Sequence, residues 1–214
     1  MRRVSRAGLL SCTAIIVVVT ITAACGAARR AGQDLGSVAL RPSDAPPDTS
    51  RADASGYQNL TKFVTTDLLG GTLDDVEEAH ALQSFGFMRG YAAFFPSRDW
   101  SQPPPARARL IESFVMEFPS CVRAHDAYTW LVGGGLAPDL RAMASFPATS
   151  FGDDATGIDM GMLLTAPITL DRGGSLLMWR RGSLVLAVLA IAKPGVERRD
   201  ELTALASTMD SRAR

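Results

Sequence analysis

The chain has 214 residues with 22 basic and 22 acidic side chains, so its formal net charge is zero and no basic excess marks it for nucleic acid. Arg outnumbers Lys by 20 to 2 and Ala and Gly abound, which reflects a GC-rich genome and says nothing about chemistry. Two histidines and three cysteines leave little room for imidazole or thiol chemistry.

The N-terminus sets the address. Arg2, Arg3 and Arg6 precede a run free of charge from Gly8 to Ile21, and Ala23-Ala24-Cys25 closes it. A positive region, an apolar region and small residues before a cut are the parts of a secretory signal. The small residues ahead of Cys25 resemble the lipobox of bacterial lipoproteins. That resemblance implies a diacylated Cys25 as the new N-terminus after removal of residues 1–24, with palmitate-type acyl chains in the membrane. Thr22 stands where that pattern usually has Leu. Four alternatives are open to the same residues. Leu9-Leu10-Ser11-Cys12 also spells a lipobox, but only eight residues precede it, so Cys12 reads as part of the apolar region. Arg2-Arg3 points to twin-arginine export, without the apolar pair that usually follows. Ordinary cleavage near Ala24 or Ala28 gives a secreted protein, whereas the uncharged residues 7–28 are long enough to remain as a membrane anchor.

With residues 1–24 removed the chain loses three Arg and no acid, leaving a net charge of −3. Cys121 is then alone once Cys25 is acylated, so the expectation is a small buried hydrophobe and no intramolecular disulfide. Residues 25–55 carry Arg29-Arg30, Asp44, Pro46-Pro47 and few large apolar groups, which predicts a flexible tether. Its one apolar patch, Ser37-Val38-Ala39-Leu40, can dock on the domain as a short strand.

Residues 56–214 predict the folded domain. A helix over 73–84 follows Gly70-Gly71, with Thr72 as N-cap and acids at its start, and Gly86 ends it. An alternating stretch from Phe87 to Phe94 stops at Pro96, and Pro103-Pro104-Pro105 marks a loop. A second strand runs from Arg109 to Phe118. Ser120 caps a helix from Cys121 to about Val132 whose stripe is Cys121, Ala124, Ala127, Tyr128 and Leu131, and Gly133-Gly134-Gly135 predicts a left-handed stop. Phe151-Gly152-Asp153-Asp154 reads as a turn, and 158–164 as a strand interrupted by Gly161. Ser175–Arg180 and Ser183–Ile191 flank Arg181-Gly182 as a hairpin, its second strand apolar on both faces. Leu202, Leu205, Ala206 and Met209 complete an amphipathic C-terminal helix. The sum is an α+β domain with an antiparallel sheet and about three packed helices.

Gly86-Phe87 with Gly90-Tyr91, the Phe151–Asp154 turn, the Trp179–Val185 hairpin and the amphipathic end resemble uncharacterised lipoproteins of actinobacterial type. The arrangement is also similar to Mog1/PsbP-like α+β domains. These motifs are structural and carry no functional residue.

Candidate chemistry is sparse. No nucleophile elbow, His-Glu-x-x-His or phosphate loop is present. Cys121 and His125 share a helical face, the spacing of a Cys/His pair or two metal ligands, yet two ligands do not make a zinc site. His80 stands outside any signature. Asp153, Asp154 and Asp159 lack the spacing of a calcium loop, and a solvated turn accounts for them. Gly133-Gly134-Gly135 follows a helix, the wrong polarity for a phosphate cradle. Trp179-Arg180-Arg181 suggests either an anionic-lipid contact or a solubilising hairpin tip. Phe85, Phe87, Met88, Tyr91, Phe94, Phe95, Phe114, Met116 and Phe118 supply core, or the lining of a cleft for an apolar ligand. The sequence therefore predicts a membrane-anchored extracytoplasmic lipoprotein that is a non-catalytic binding module. It touches the membrane through the lipid on Cys25 and an extracytoplasmic protein or apolar ligand through its domain, with no cofactor, metal or catalytic residue and no nucleic acid. A carrier of a small apolar ligand or lipid is the second reading, and an enzyme the third.

Overall fold

The computed structural model describes residues 33–65, 75–99, 109–135, 144–148, 150–160, 164–165, 168–169, 173–192 and 199–214. The expected signal over 1–24, the first part of the tether, the Thr72 cap, the Pro103–Pro105 loop and Gly161 lie outside them. The element order is α1 (Leu35–Val38), β1 (Gly56–Gln58), α2 (Leu60–Thr65), α3 (Asp75–Ser84), β2 (Arg89–Pro96), β3 (Leu110–Glu117), α4 (Cys121–Trp130), β4 (Ala144–Phe146), β5 (Asp154–Met160), β6 (Leu164–Thr165), β7 (Ile168–Thr169), β8 (Gly173–Arg181), β9 (Leu184–Ala192) and α5 (Arg199–Arg212). This is the expected α+β fold, with the three predicted helices joined by the short α1 and α2. No helix among the described residues is long and apolar enough to cross a membrane.

Seven strands form one sheet in the order β1-β2-β3-β9-β8-β5-β4, every described pairing antiparallel. Two meanders build it from opposite edges and meet where β3 pairs with β9, from Leu110↔Ile191 to Glu117↔Leu184. Helix α4 follows β3 at the centre, and the chain re-enters the sheet at β4 on the far edge. β6 and β7 form a separate small hairpin.

Strand periodicity divides the core in two. Ala92, Phe94, Phe114, Met116, Leu176, Met178, Val185, Ala187 and Leu189 share one cluster with residues of α2, α3 and α4. Ala93, Phe95, Ile111, Val115, Leu177, Trp179, Leu186, Val188 and Ala190 share the other with α1 and α5. The sheet is thus covered on both faces.

Local chemistry explains the helix ends. Helix α3 closes in a Schellman motif: Phe87 N–H donates to Leu82 O and Gly86 N–H to Gln83 O, with Gly86 at φ +81°. Ser120 caps α4 by accepting from Arg123 N–H. The expected left-handed stop at Gly133–Gly135 is corrected. The helix runs on into a π-helical turn over Leu131–Gly135, and Gly133 is not among the glycines of positive φ. Wider i→i+5 turns suit a stretch with no side chains to crowd them.

The tether is also corrected. Residues 33–55 are part of the fold, and Leu35, Val38, Ala39 and Leu40 are buried in the second core cluster. Ser37–Leu40 docks as a helical turn and not as a strand, because the Asp34 carboxylate accepts from Gly36 N–H and starts α1. The segment is pinned along its length. Arg212 donates to Ala39 O and to both carboxylate oxygens of Asp44, and Leu40 N–H reaches Ser113 Oγ. Farther on, Ser50 N–H and Ala52 N–H donate to Pro96 O and Phe94 O of β2. If this segment is core, Leu35→Ala removes a fully buried side chain and costs about 2–5 kcal/mol in urea unfolding. An unchanged midpoint restores the tether.

Candidate functional site

The densest polar cluster lies where α4 crosses the start of β5. Asp154 opens β5 opposite Arg180 in β8, so the register sets carboxylate beside guanidinium. Arg180 Nε donates to Asp154 Oδ2 at 2.8 Å, and Arg180 Nη1 to Asp153 Oδ2 at 3.0 Å. Asp153 Oδ2 also accepts from Gly182 N–H at 2.9 Å, which ties the turn before β5 to the β8–β9 hairpin tip. From α4, His125 Nδ1 stands 3.1 Å from Asp154 Oδ2. One helical turn on, the Tyr128 hydroxyl meets Thr156 Oγ1 at 2.7 Å. Helix α4 is thereby laid on β5 by two polar contacts at matched spacing.

Burial and charge oppose each other at Asp154. Burial raises its pKa, but hydrogen bonds from Arg180 and His125 and the charges of both outweigh it, so the carboxyl is held below its ordinary value of 3.8. Burial pushes the Tyr128 phenol up, against the opposing hydrogen bond from Thr156. His125 is exposed, and no described hydroxyl or thiol is hydrogen-bonded to it. A carboxylate that orients an imidazole is part of a catalytic relay, but a relay needs a nucleophile on the other nitrogen. The arrangement is a clamp of charges.

The structure separates the other candidates. His80 is exposed on α3. Cys121 is half-buried and disulfide-bonded, which corrects the expectation of a buried free thiol in a chain without disulfides. A disulfide sulfur is no thiolate ligand or nucleophile for His125. Asp159 leaves the other acids, because residues an odd number apart on β5 face opposite sides; it pairs with Arg199 of α5 and accepts from Ser175. Among the described residues no three His, Cys, Asp or Glu side chains gather as metal ligands. Cys25, the expected lipid site, lies outside the described residues.

The hairpin tip is neither a lipid contact nor a solubilising device. Trp179 is fully buried against Phe151, Arg180 serves the clamp, and Arg181 turns to the other face. There its Nε and Nη2 donate to the two oxygens of buried Asp210 in α5 at 2.7 and 2.6 Å. The aromatic set divides likewise. Phe94, Phe114, Met116 and Phe118 belong to one core cluster, Phe95 to the other, and Met88 is exposed. Rings pack on rings, as in Phe63–Phe114 and Phe87–Phe118, so the set does not line one cleft.

Sequence reasoning missed a second polar group. Tyr57 O–H donates to Asp34 Oδ1 at 2.5 Å and accepts from Leu35 N–H, and its ring meets Tyr91 edge-on. The Tyr57 bond holds the Asp34 carboxyl down and the phenol up. Arg89 lies over Tyr57 and Arg51 over Tyr91. No spacing signals a contact between residues 22 or more apart; only the docked α1 brings them together.

No protein-family model matches the chain, and no curated protein matches it. Among solved structures, it is similar to the extracellular domain of PknH from Mycobacterium tuberculosis, with a TM-score of 0.50 and 10% sequence identity over 84% of this chain and 94% of that one. At this identity the likeness is one of fold.

Two outcomes test the clamps. Gly152 has φ +51°, and an added Cβ would stand 2.0 Å from Arg180 O, so Gly152→Ala is expected to lower stability by at least ~1–3 kcal/mol in thermal or urea unfolding. Asp44 also sits below 3.8, since Arg212 and the Arg41 N–H outweigh the effect of burial. A depressed folded pKa adds stability that is complete above the ordinary value and lost as pH falls below it. Asp44→Asn is therefore less stable than the parent at pH 6, and the gap closes by about pH 2. A gap that persists in acid refutes the ion-pair account.

Proposed function

We propose that this chain is a non-catalytic binding domain displayed on the outer face of the cytoplasmic membrane, held by its N-terminal segment and meeting its partner at the end of the sheet away from that segment. The carrying observation is the position of Gln33. The signal-like residues end a few positions before it, and it is itself tied to the fold: Gln33 Nε2 donates to Arg212 O, and Gln33 O accepts from Arg89 Nη2. From Cys25 to Gln33 is eight residues, at most ~28 Å of extended chain. The domain is held near the bilayer and does not range over the wall.

The register defines the two ends. Arg89, Glu117, Leu184, Arg181 and Asp154 all lie at the end where Gln33 enters. Pro96, Leu110, Ile191, Gly174 and Met160 lie at the other. The hairpin clamps of Arg180 and Arg181 therefore face the anchored end, where they fasten strands and helices. Among the described residues the distal end carries ion pairs of its own, Arg109 with Asp48 and Glu201 and Asp159 with Arg199, and segments that connect strands on a rigid sheet are the usual seat of recognition. Likeness in fold to a domain described as extracellular supports the location.

The test is protease treatment of intact and lysed spheroplasts of the native host, with membranes fractionated in parallel. Digestion in intact spheroplasts and recovery with membranes are expected. A protected, soluble chain sinks the proposal. A thermal-shift screen with peptidoglycan fragments, phospholipid and peptides then tests binding, and chemical turnover of any of them contradicts the non-catalytic reading.

A further inference from the structure

Two turns meet at the end of the sheet where Gln33 is tied. Gly86, in the turn before β2, lies so near the turn after β3 that an added Cβ would meet Pro119 Cγ at 3.0 Å, and Met88 N–H donates to Glu117 O at 2.9 Å. The tip so formed turns apolar side chains outward. Among the described residues four large apolar side chains stand exposed, and two of them are here: Met88, at 61%, and Val122, at 58%, in the first turn of α4. Pro119, three residues before Val122, is exposed as well. Helical geometry holds Val122 in solvent, since it points away from the buried stripe of Ala124, Ala127 and Tyr128.

We propose that this tip seats in the headgroup layer of the bilayer, with Met88 and Val122 at the acyl boundary and Arg123 on lipid phosphate. The inference rests on the reading above that the N-terminal segment holds the domain at the membrane. The point of entry selects lipid as the occupant. Arg89 Nη2 donates to Gln33 O at 3.2 Å and Arg89 Nε to Glu117 Oε2 at 2.6 Å, and Glu117 is the residue whose carbonyl holds Met88. Entry point and tip therefore share Arg89. Counting back from Gln33, Cys25 is eight residues away, at most ~28 Å, and Ile21, the end of the uncharged run, is twelve, at most ~42 Å. Either attachment keeps the tip within reach of the bilayer. So short a link makes the second contact effectively intramolecular, and a small apolar tip suffices where it would not bind from solution.

Charge agrees with that occupant. Arg123 is exposed beside Val122, and Asp126 stands 4.0 Å from it, the limit of an ion pair. Its stem can lie along the apolar tip while the guanidinium stays at phosphate level. Carboxylates that would repel phosphate are turned to arginine within the fold: Glu117 to Arg89, and Asp153 and Asp154 to Arg180. A second copy of the chain is the poorer occupant, because a stable protein interface buries about 800 Å² on each partner and Met88, Pro119 and Val122 offer a fraction of that.

The full chain with its own N-terminus is reconstituted into vesicles of equal parts phosphatidylcholine and phosphatidylglycerol, the phosphatidylcholine either plain or brominated on its acyl chains, and indole emission is read. Met88→Trp puts a reporter on the tip, and Arg98→Trp puts one past the far end of β2, ~30 Å along the strand. Both positions are exposed, and the unsubstituted chain supplies the background of its three tryptophans, of which buried Trp179 reports the fold. Brominated lipid is expected to quench about half of the added emission at residue 88 and none at residue 98, because only the tip reaches the acyl boundary. Val122→Asp in the Met88→Trp chain is expected to restore most of it. Emission at residue 88 that bromine leaves untouched, equal quenching at both positions, or quenching that survives Val122→Asp would overturn the seating. So would a blue shift at residue 88 that ignores bromine and grows with protein density, the mark of a second copy. Protease access in spheroplasts separates the two proposals: an accessible domain with unquenched emission at residue 88 defeats the seating alone, and a protected chain defeats the location on which it rests.

Discussion

Strand β9 is apolar along its whole length, Leu184 to Ala192, and all but one of its residues are buried. Such a strand cannot face water on either side, so the sheet must be covered twice. Seven strands at ~4.8 Å spacing make a surface about 29 Å wide, and a helix with its side chains covers about 10 Å of it. One face receives α2, α3 and α4. On the other, α5 is the one long helix among the described residues, and Leu35, Val38, Ala39 and Leu40 join Ala148 and Phe151 in covering the rest. The entry of the N-terminal segment into the core follows from the composition of β9 at the other end of the chain.

That dependence explains what was legible. Helix α5 shows in sequence because its stripe recurs within 14 residues, and the β8–β9 hairpin because two apolar runs flank Arg181-Gly182. Ser120 and Gly86 act within a few residues of the ends they cap or close, so they too can be read. Residues 35–40 hold four buried side chains in six positions, too few to show a period, amid proline and charge that describe a linker equally well. The clamps were unreadable for another reason. Asp154 and Arg180 are opposed only through the β5–β8 register, 26 residues apart, and Arg181 meets Asp210 only because α5 folds back over the hairpin. The triple glycine misled because it carries no side chain to choose between a left-handed stop and a π turn.

The two arginines at the hairpin tip show how one turn can fasten both layers. Neighbouring residues on a strand point to opposite faces. Arg180 accordingly reaches Asp153, Asp154 and, through Asp154, His125 of α4, while Arg181 takes the carboxylate of Asp210 in α5. Asp210 is almost wholly buried, and Arg181 meets both of its oxygens in a bidentate pair. Such buried pairs add little net stability over an apolar replacement. Their effect here is positional: they set the height of α4 and α5 against the sheet at one end, where packing alone would let each helix slide.

The same reasoning separates structure from recognition on this surface. A site that binds a partner keeps polar groups ready for it, whereas the carboxylates of the hairpin clamps are occupied by guanidinium or backbone N–H within the fold. The clamped end is also where Gln33, the hairpin tip and the C-terminal turn of α5 converge. The polar cluster around Asp154 thus joins the β8–β9 hairpin, the start of β5 and α4 at one end of the sheet.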